Sequence, residues 1–356
     1  MKETKIFRVD PLNPDTKILK FAARAIKEGK LVIFPTETVY GIGANALDEN
    51  AVRKIFIAKN RPPDNPLIAH VSSVSMTKKI VSDFPQKAER LIKHFWPGPL
   101  TIIFKKSEIV PDIMTAGLDS LGVRMPAHPV ALKLIEFSGT PLAAPSANIS
   151  GKPSATSAEH AIDDFMGKVD IILDAGESPI GIESTILNLY SKPPMILRPG
   201  PIPKEDLERI LGEKVEYHPA LQAQTKEEAL EIPSIKYAHY VPDVELIFIE
   251  GKRDCFLKNC TKLYKAFLAE GKRVQFLVSE ETAKVLKSIL EPPPKCIITG
   301  MSHDFPTIAH NLFQLLREID PKKVDIVIAE SYEPKGLGYS INFRLRKGAT
   351  RVIYCP

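Results

Sequence analysis

Two basic side chains two positions apart, Lys59 and Arg61, open a proline-rich stretch that ends at His70. The prolines fix their own φ angles and stiffen the segment, and alternate residues of an extended segment face the same side. A planar guanidinium beside a compact ammonium suits the oxygens of a triphosphate. We therefore predict a phosphate-binding pair, with a solvated basic turn as the plain structural alternative.

A second polar stretch, Ala144–Gly151, combines short hydroxyls, an amide and a glycine ahead of a predicted helix. Such groups can form a concave set of hydrogen-bond donors for an anion or a nucleotide. Capping of the following helix accounts for Thr156 or Ser157. It does not account for Ser146 and Asn148, which lie too far upstream, so we interpret this stretch as part of a binding site.

Single polar residues at predicted strand ends and turns form a third group: Thr36, Arg124, Ser184 and Arg198. Taken one at a time, each of these is more often structural than functional. A buried arginine usually pairs with a carboxylate, and either Glu37 or Glu183 could be that partner. By the same standard, His70 is more often a core histidine than a catalyst, and Trp96 is more often a core residue.

The common catalytic motifs are absent from the sequence. There is no G-x-x-x-x-G-K-[ST] phosphate loop, no G-x-S-x-G elbow and no H-E-x-x-H metal motif, and YGIGAN holds only a G-x-G. The sequence has four cysteines and no C-x-x-C pair: Cys255, Cys260, Cys296 and Cys355. We therefore expect reduced, buried thiols of a cytosolic protein and no metal site made by the protein alone.

These residues must be positioned by elements whose pattern changes along the chain. The 356 residues, 44% hydrophobic and 26% charged, describe a globular chain of two or three domains. The first part mixes helix-like and strand-like segments irregularly, which predicts a mixed α+β sheet. The last part alternates five apolar strands with four helices, which predicts a small doubly wound parallel sheet. We assign 1–212 to a first domain, 213–243 to a linker and 244–356 to a second domain.

The net charge and the apolar pattern limit the class of partner. A formal net charge of +5 permits an anionic partner but is not that of a dedicated nucleic-acid binder. No apolar run approaches the roughly 18 residues that span a bilayer. The first residues, MKETKIFRVDP, lack the apolar core of a signal peptide. We therefore expect a cytoplasmic location and no membrane partner.

Seven motifs follow one another along the chain: PTETVYGIG, KNRPPDNPLIAH, FWPGPLTI, LGVRMPAHP, PSANISGKPSAT, GIESTIL and ILRPGPI. In this order and with these spacings they resemble the threonylcarbamoyl-AMP synthase family, also called YrdC-like. The motif PSIKYAHYVP and the regular C-terminal pattern resemble the long, two-domain form of that family. Asn60 stands where glycine is common in the family, and Ile235 stands where methionine is common. The resemblance implies an α/β fold, with a YrdC-like twisted mixed α+β sheet domain followed by a Rossmann-like domain.

The resemblance also implies a reaction. L-threonine, bicarbonate and ATP would give threonylcarbamoyl-AMP and pyrophosphate, which makes the protein a nucleotidyltransferase. The product is the activated intermediate for threonylcarbamoyladenosine modification of tRNA beside the anticodon. A transient partner would be the enzyme that transfers the group to tRNA, with at most a weak contact to RNA. Mg²⁺ is expected to accompany ATP through the phosphate oxygens.

The motifs carry roles over to individual residues by resemblance. Lys59 and Arg61 would act catalytically by neutralising charge on the phosphates. L-threonine would be bound by Thr36, Ile68, His70, Arg124, Ala144 and Ser184. ATP would be bound by Lys59, Arg61, Pro63, Ser120, Ser146, Asn148, Ser154, Arg198 and Tyr237.

Three aromatic residues stand in the predicted linker: Tyr237, His239 and Tyr240. Threonylcarbamoyl-AMP is prone to hydrolysis, so the active site must exclude water. Our hypothesis is that the linker folds over the site as a lid that retains the intermediate. The structural alternative is that these side chains merely attach the linker to the surface.

Two other functions fit parts of the sequence. An RNA-binding module without catalysis is permitted by the net charge. Against it, Lys and Arg are not concentrated in one run, and no aromatic signature for stacking on RNA is present. A carbamoyl-adenylate-forming domain of the kind found in hydrogenase maturation is a nearer alternative, but such domains sit in larger chains with acylphosphatase-like and zinc-finger modules.

Overall fold

The computed structural model describes residues 3–221 and 240–355. Contacts divide these residues into two compact units. One unit holds the residues up to 150 and from 154 to 221, and the other holds residues 240–355 together with 151–153. Each unit is built on its own β-sheet.

The first unit is built on an 11-stranded sheet. Its strands are β1 Lys5–Arg8, β2 Val32–Phe34, β3 Gly41–Asn45, β4 Ile68–His70, β5 Leu100–Lys105, β6 Ser120–Arg124, β7 Leu142–Ala143, β8 Ile171–Asp174, β9 Thr185–Asn188, β10 Met195–Arg198 and β11 Glu216–Tyr217. Their order is β1-β8-β2-β3-β7-β4-β6-β5-β9-β10-β11. Parallel pairs such as β4 with β6 and antiparallel pairs such as β5 with β6 occur side by side. The mixed sheet predicted from the sequence is confirmed.

The helices of the first unit are α1 Thr16–Lys27, α2 Glu49–Lys59, α3 Val74–Ile80, α4 Gln86–Phe95, α5 Asp112–Thr115, α6 Pro129–Ser138, α7 Ala158–Phe165 and α8 Lys204–Leu211. Helices α1 and α6 pack against each other and form an apolar core with residues of β2 and β8. Helix α6 begins after His128, whose Nδ1 accepts a hydrogen bond from the Val130 N–H. It ends at Gly139, which has a φ of 66°. Glycine tolerates this left-handed conformation, which explains why the helix ends here.

The second unit has strands β12 Glu245–Glu250, β13 Val274–Val278, β14 Lys295–Ile298, β15 Ile326–Glu330 and β16 Arg351–Tyr354. Between them run helices α9 Arg253–Ala269, α10 Glu280–Ile289, α11 Phe305–Arg317 and α12 Leu337–Gly348. All strand pairs are parallel, in the order β14-β13-β15-β12-β16. The predicted parallel sheet is confirmed, although its order differs from the Rossmann order because β15 lies between β12 and β13.

The prediction of four reduced cysteines is wrong for two of them. Cys255 and Cys355 form a disulfide with a Cα–Cα distance of 5.9 Å. Strand β16 pairs with β12, and the N–H of Cys355 donates to the carbonyl of Glu250 at 2.7 Å, just before α9 begins. This pairing brings together two residues that are 100 positions apart in sequence. Cys260 is a buried free thiol and Cys296 is a half-buried one.

The predicted linker is described only in part. Strand β11 pairs with β10, and a short 3₁₀ helix follows at Pro219–Leu221, so the chain stays in the first unit to residue 221. Tyr237 and His239 lie outside the described residues, and the lid hypothesis and domain boundaries stay predictions. Tyr240 stacks on Phe313 in the second unit, with ring centroids 4.9 Å apart. Within the described part of the chain, no helix is long and apolar enough to cross a membrane.

Candidate active site

Two neighbouring parallel strands, β4 and β6, carry three of the six residues predicted to bind L-threonine. His70 at the end of β4 lies opposite Arg124 at the end of β6, and Ile68 lies opposite Gly122. Ser120 begins β6, and four residues of strand separate it from Arg124 by about 13 Å. The predicted site is therefore elongated, with Arg124 at one end and Ser120 toward the other.

Arg124 is buried and held on three sides. Its Nη2 lies 2.6 Å from the Glu37 carboxylate, its Nη1 donates to Thr38 Oγ1 at 2.8 Å, and its Nε donates to the Gly98 carbonyl at 3.2 Å. Of the two carboxylates that the sequence offered as partners, Glu37 is the one that pairs with it. The three contacts fix the guanidinium, and two of its five N–H groups are left for a carboxylate ligand.

The turn that supplies Glu37 is held by its own hydroxyls. Thr36 Oγ1 donates to the Val39 carbonyl at 2.6 Å and accepts from the N–H groups of Thr38 and Val39 at 3.2 Å each. The carbonyls of Glu37 and Thr38 accept hydrogen bonds from the N–H groups of Ile180 and Gly181, both at 3.0 Å. Local and long-range bonds thus preorganise this turn beside Arg124.

The buried Ser184 and the half-buried Arg198 form a second group next to Arg124. The Ser184 hydroxyl bonds to Thr101 Oγ1 at 2.8 Å and accepts from Arg198 Nη2 at 3.0 Å, and its carbonyl accepts from Arg198 Nε at 3.0 Å. Thr101 follows from the β5–β6 register as the residue opposite Arg124, since Ile102 faces Val123. Sequence reasoning missed Thr38 and Thr101. A hydroxyl inside the apolar run PLTIIF was the available signal for Thr101.

His70 is a buried histidine with an unused ring nitrogen. Its Nδ1 has no hydrogen-bond partner within residues 3–221 and 240–355. Burial, and then the positive charges of Arg124 and Arg198, lower the pKa of His70 to about 3. The imidazole is therefore neutral at physiological pH, and its ring meets Phe34 edge-on with centroids 6.3 Å apart. The Ala144 N–H donates to the Ile68 carbonyl at 3.0 Å, which places Ala144 beside the same strand.

Lys59 lies at the end of α2 and not on an extended segment, so that part of the prediction is wrong. Helix α2 ends there because Asn60 adopts the left-handed conformation, with a φ of 52°, which asparagine tolerates better than most residues. The buried Lys59 ammonium donates to the carbonyls of Ser146 and Asn148, each at 2.5 Å. Lys59 thus supports the polar stretch that the sequence also singled out.

Arg61 shapes the loop that follows. Its Nε donates to the Asn65 carbonyl at 3.3 Å and its Nη2 to the Pro66 carbonyl at 3.2 Å. Pro63 lies exposed in the same loop. Extending the β4–β6 register by two residues brings Ser120 level with Pro66. Arg61, Pro63 and Ser120 therefore share the end of the site that is remote from Arg124.

The stretch from Pro145 to Asn148 is bonded to the start of β3, which follows the turn of Thr36. The Ile42 N–H donates to the Pro145 carbonyl, and the Ala147 N–H donates to the Tyr40 carbonyl. Ser146 Oγ donates to Asn148 Oδ1 at 2.5 Å. Ser157, the alternative explanation for this stretch, caps α7 by accepting from the His160 N–H. Capping and the polar stretch are therefore separate features.

Ser154 is the last predicted ATP-binding residue of the first unit. The Ser154 hydroxyl donates to Glu183 Oε1 at 2.5 Å, and both side chains are buried. Across the described residues, no group of three or more His, Cys, Asp or Glu could hold a metal ion. Tyr237, the remaining predicted ATP ligand, lies outside the described residues.

Comparison with known proteins decides the family. A family model described as "Telomere recombination" matches residues 24–200, and one described as "Threonylcarbamoyl-AMP synthase, C-terminal domain" matches residues 202–350. A threonylcarbamoyl-AMP synthase of Pyrococcus abyssi is 49% identical over 331 residues, which cover 93% of this chain and 94% of the relative. The chain belongs to the threonylcarbamoyl-AMP synthase family. The resemblance seen in the seven motifs is confirmed.

Other relatives agree over the whole length. A threonylcarbamoyl-AMP synthase of Bacillus subtilis is 41% identical and aligns with 96% of this chain and 95% of its own. A crystal structure of P. abyssi Sua5 complexed with L-threonine is 46% identical, with a TM-score of 0.89 and 99% of both chains covered. The predicted α/β fold of two successive sheets is confirmed.

Proposed function

We propose that this chain is a threonylcarbamoyl-AMP synthase that joins L-threonine, bicarbonate and ATP and releases pyrophosphate. Family membership supports this function over an RNA-binding module, because the relatives that match the full chain are named as synthases. The observation that carries the proposal is the buried Arg124, whose guanidinium is fixed beside Glu37 and Thr38 at one end of an elongated site.

L-threonine would bind at the Arg124 end. Its carboxylate would accept the remaining guanidinium N–H groups, with Thr36, Ser184 and the neutral His70 around its polar groups and the main chain of Ile68 and Ala144 beside it. A structure of P. abyssi Sua5 with L-threonine supports a threonine site in this family. A side-chain fork that matches a carboxylate is what distinguishes an amino-acid substrate from a simple amine.

ATP would lie toward the other end, where Arg61, Pro63 and Ser120 meet. Ser146, Asn148, Ser154 and Arg198 would surround the rest of the nucleotide, with Tyr237 as a further predicted contact. Mg²⁺ would enter with ATP, held mainly by phosphate oxygens, because the described residues offer no carboxylate cluster for it.

The chemistry has two parts. The threonine amine first forms a carbamate with bicarbonate, and a carbamate oxygen then attacks the α-phosphorus as the bond to the β-phosphate breaks. This makes the enzyme a nucleotidyltransferase. Lys59 and Arg61 would stabilise the negative charge that develops on the phosphates, Lys59 partly by holding the carbonyls of Ser146 and Asn148. The adenylate would pass to a tRNA-modifying enzyme, which we infer to happen in the cytoplasm.

A single assay tests the proposal. The purified protein is incubated with ATP, bicarbonate and Mg²⁺, with and without L-threonine, and pyrophosphate release is measured. We expect release only when L-threonine and bicarbonate are both present, with serine and glycine as comparison substrates. Release that ignores L-threonine, or none from a folded sample, would contradict the proposed function.

A further inference from the structure

The Glu37 carboxylate is buried, and neither of its oxygens accepts a hydrogen bond from the described residues. The residue is 6% exposed, and its Oε1 lies 2.6 Å from Arg124 Nη2. Its Oε2 is also buried and accepts no hydrogen bond from the residues that the structure describes. A buried carboxylate oxygen without a donor is unfavourable, so this one calls for a functional explanation.

We propose that Glu37 is the proton acceptor for the substrate amine in the carbamate-forming half of the reaction, which rests on the proposed function. Arg124 and Glu37 place a cation and an anion side by side. An α-amino acid carries a carboxylate and an ammonium on one carbon, which is the complementary arrangement. With its carboxylate on Arg124, the substrate brings its ammonium toward the unused Oε2.

The step balances without another reactant. The ammonium passes one proton to Glu37, which leaves a neutral amine with a free electron pair. The nitrogen forms a bond to the bicarbonate carbon as one C–O bond breaks, and the leaving hydroxide takes a second N–H proton and departs as water. The products are the carbamate, water and protonated Glu37, which returns its proton to solvent after turnover.

The substrate itself favours this transfer. Before binding, Arg124 compensates the Glu37 charge. The carboxylate of the substrate then shares Arg124, and bicarbonate and ATP add further negative charge in a buried site. A proton on Glu37 relieves this accumulation, because like charges repel strongly where water is excluded.

The other titratable groups nearby are poor acceptors. Burial and the charges of Arg124 and Arg198 oppose a proton on His70, whose pKa falls to about 3. His128 at the start of α6 feels the Glu37 charge, but its Nδ1 already accepts from Val130 N–H, and burial lowers its pKa. Glu37 is thus the group with both a negative charge and an unused oxygen.

The test compares Glu37→Gln with Thr38→Val, which removes another Arg124 contact without touching the carboxylate. For Glu37→Gln we expect kcat at pH 7 to fall by about 10²- to 10⁴-fold, with a smaller change in the calorimetric Kd for L-threonine. Between pH 7 and 9 its log kcat should rise with a slope near one, because only substrate that arrives as the free amine reacts. For the wild type and Thr38→Val, log kcat should not change between pH 7 and 9. Thr38→Val should instead raise KM for L-threonine.

The role of Glu37 as proton acceptor would be overturned if log kcat of Glu37→Gln varied with pH as it does in the wild type. It would also be overturned if Glu37→Gln weakened only the binding of L-threonine. If Glu37→Gln does not fold, Glu37→Asp decides, since a carboxylate one methylene shorter should keep the flat profile at a reduced kcat, and a rising profile would refute the role. Absence of threonine-dependent pyrophosphate release from the wild type itself would instead refute the proposed function.

Discussion

Replacing Lys59 by methionine tests whether this lysine holds the nucleotide end of the site in place or only contributes a positive charge to it. The ammonium is buried and donates to two main-chain carbonyls, those of Ser146 and Asn148, at 2.5 Å each. Methionine keeps most of the volume and removes both donors. The two carbonyls then lose a charged partner, and the stretch that carries Ser146 and Asn148 loses its support.

The magnitude follows from these two bonds. A hydrogen bond to a charged group contributes roughly 1.5–3 kcal/mol, so losing two bounds the effect at about 3–6 kcal/mol. Removing a buried ammonium also removes its desolvation cost, so we expect a net loss of unfolding free energy near the lower bound. Displacement of the polar stretch should also weaken ATP binding by at least about 100-fold, which corresponds to about 2.8 kcal/mol.

Two measurements on the same samples check this reasoning. Denaturant unfolding gives the free-energy change, and calorimetric titration with ATP gives the affinity. Lys54→Met is the matched control, because Lys54 lies on the same helix, is exposed and donates to one carbonyl, that of Gly29. Because Lys54 is exposed and water can replace the lost donor, we expect Lys54→Met to change stability by less than about 0.5 kcal/mol. If Lys59→Met unfolds like the wild type while ATP affinity falls, the lysine acts through its charge alone and the supporting role is refuted.

Three further predictions concern other residues. Arg124→Lys removes the fork that matches a carboxylate and should raise KM for L-threonine by about ten- to a hundred-fold while KM for ATP stays within a few-fold; equal changes in both would contradict the assignment. Cys255→Ser or reduction should lower the unfolding free energy of the second unit by about 3–5 kcal/mol, whereas the control Cys296→Ser should change it little. His70 is held neutral with a pKa of about 3, below the unfolded value, so acidification from pH 6.5 toward 3 should cost stability by up to about 1.4 kcal/mol per pH unit. His70→Asn should remove that contribution, and an unchanged slope in acid unfolding experiments would show that His70 titrates normally.

Features with local signals were predictable from the sequence. The helix that ends at Gly139 carries its stop signal within a few residues, and the parallel sheet of the second unit follows from apolar runs of regular spacing. The candidate site residues were named from motifs that resemble a known family, and their roles stay predictions. The register of β4 and β6 then places His70 opposite Arg124, as a common site requires.

Features that depend on distant pairings were not predictable. The Lys59 ammonium reaches carbonyls 87 and 89 residues away. The choice of Glu37 over Glu183 as the partner of Arg124 depends on which turn reaches the end of β6. The extended geometry assumed for Lys59 failed because one residue, Asn60, takes a left-handed conformation that ends the helix. The disulfide was not predictable because strand order, and not sequence spacing, brings its two cysteines together.

The strand order of the second unit has a consequence for its synthesis. Strands β12 and β13 do not touch, because each pairs with β15, which occupies Ile326–Glu330. The centre of this sheet is therefore translated almost last, and β12 and the free edge of the β13–β14 pair stay unpaired until it leaves the ribosome. A chain that stops before Ile326 keeps three strands but only the β13–β14 pair among them. Loss of the last thirty or so residues should thus abolish the unit, and not merely shorten it.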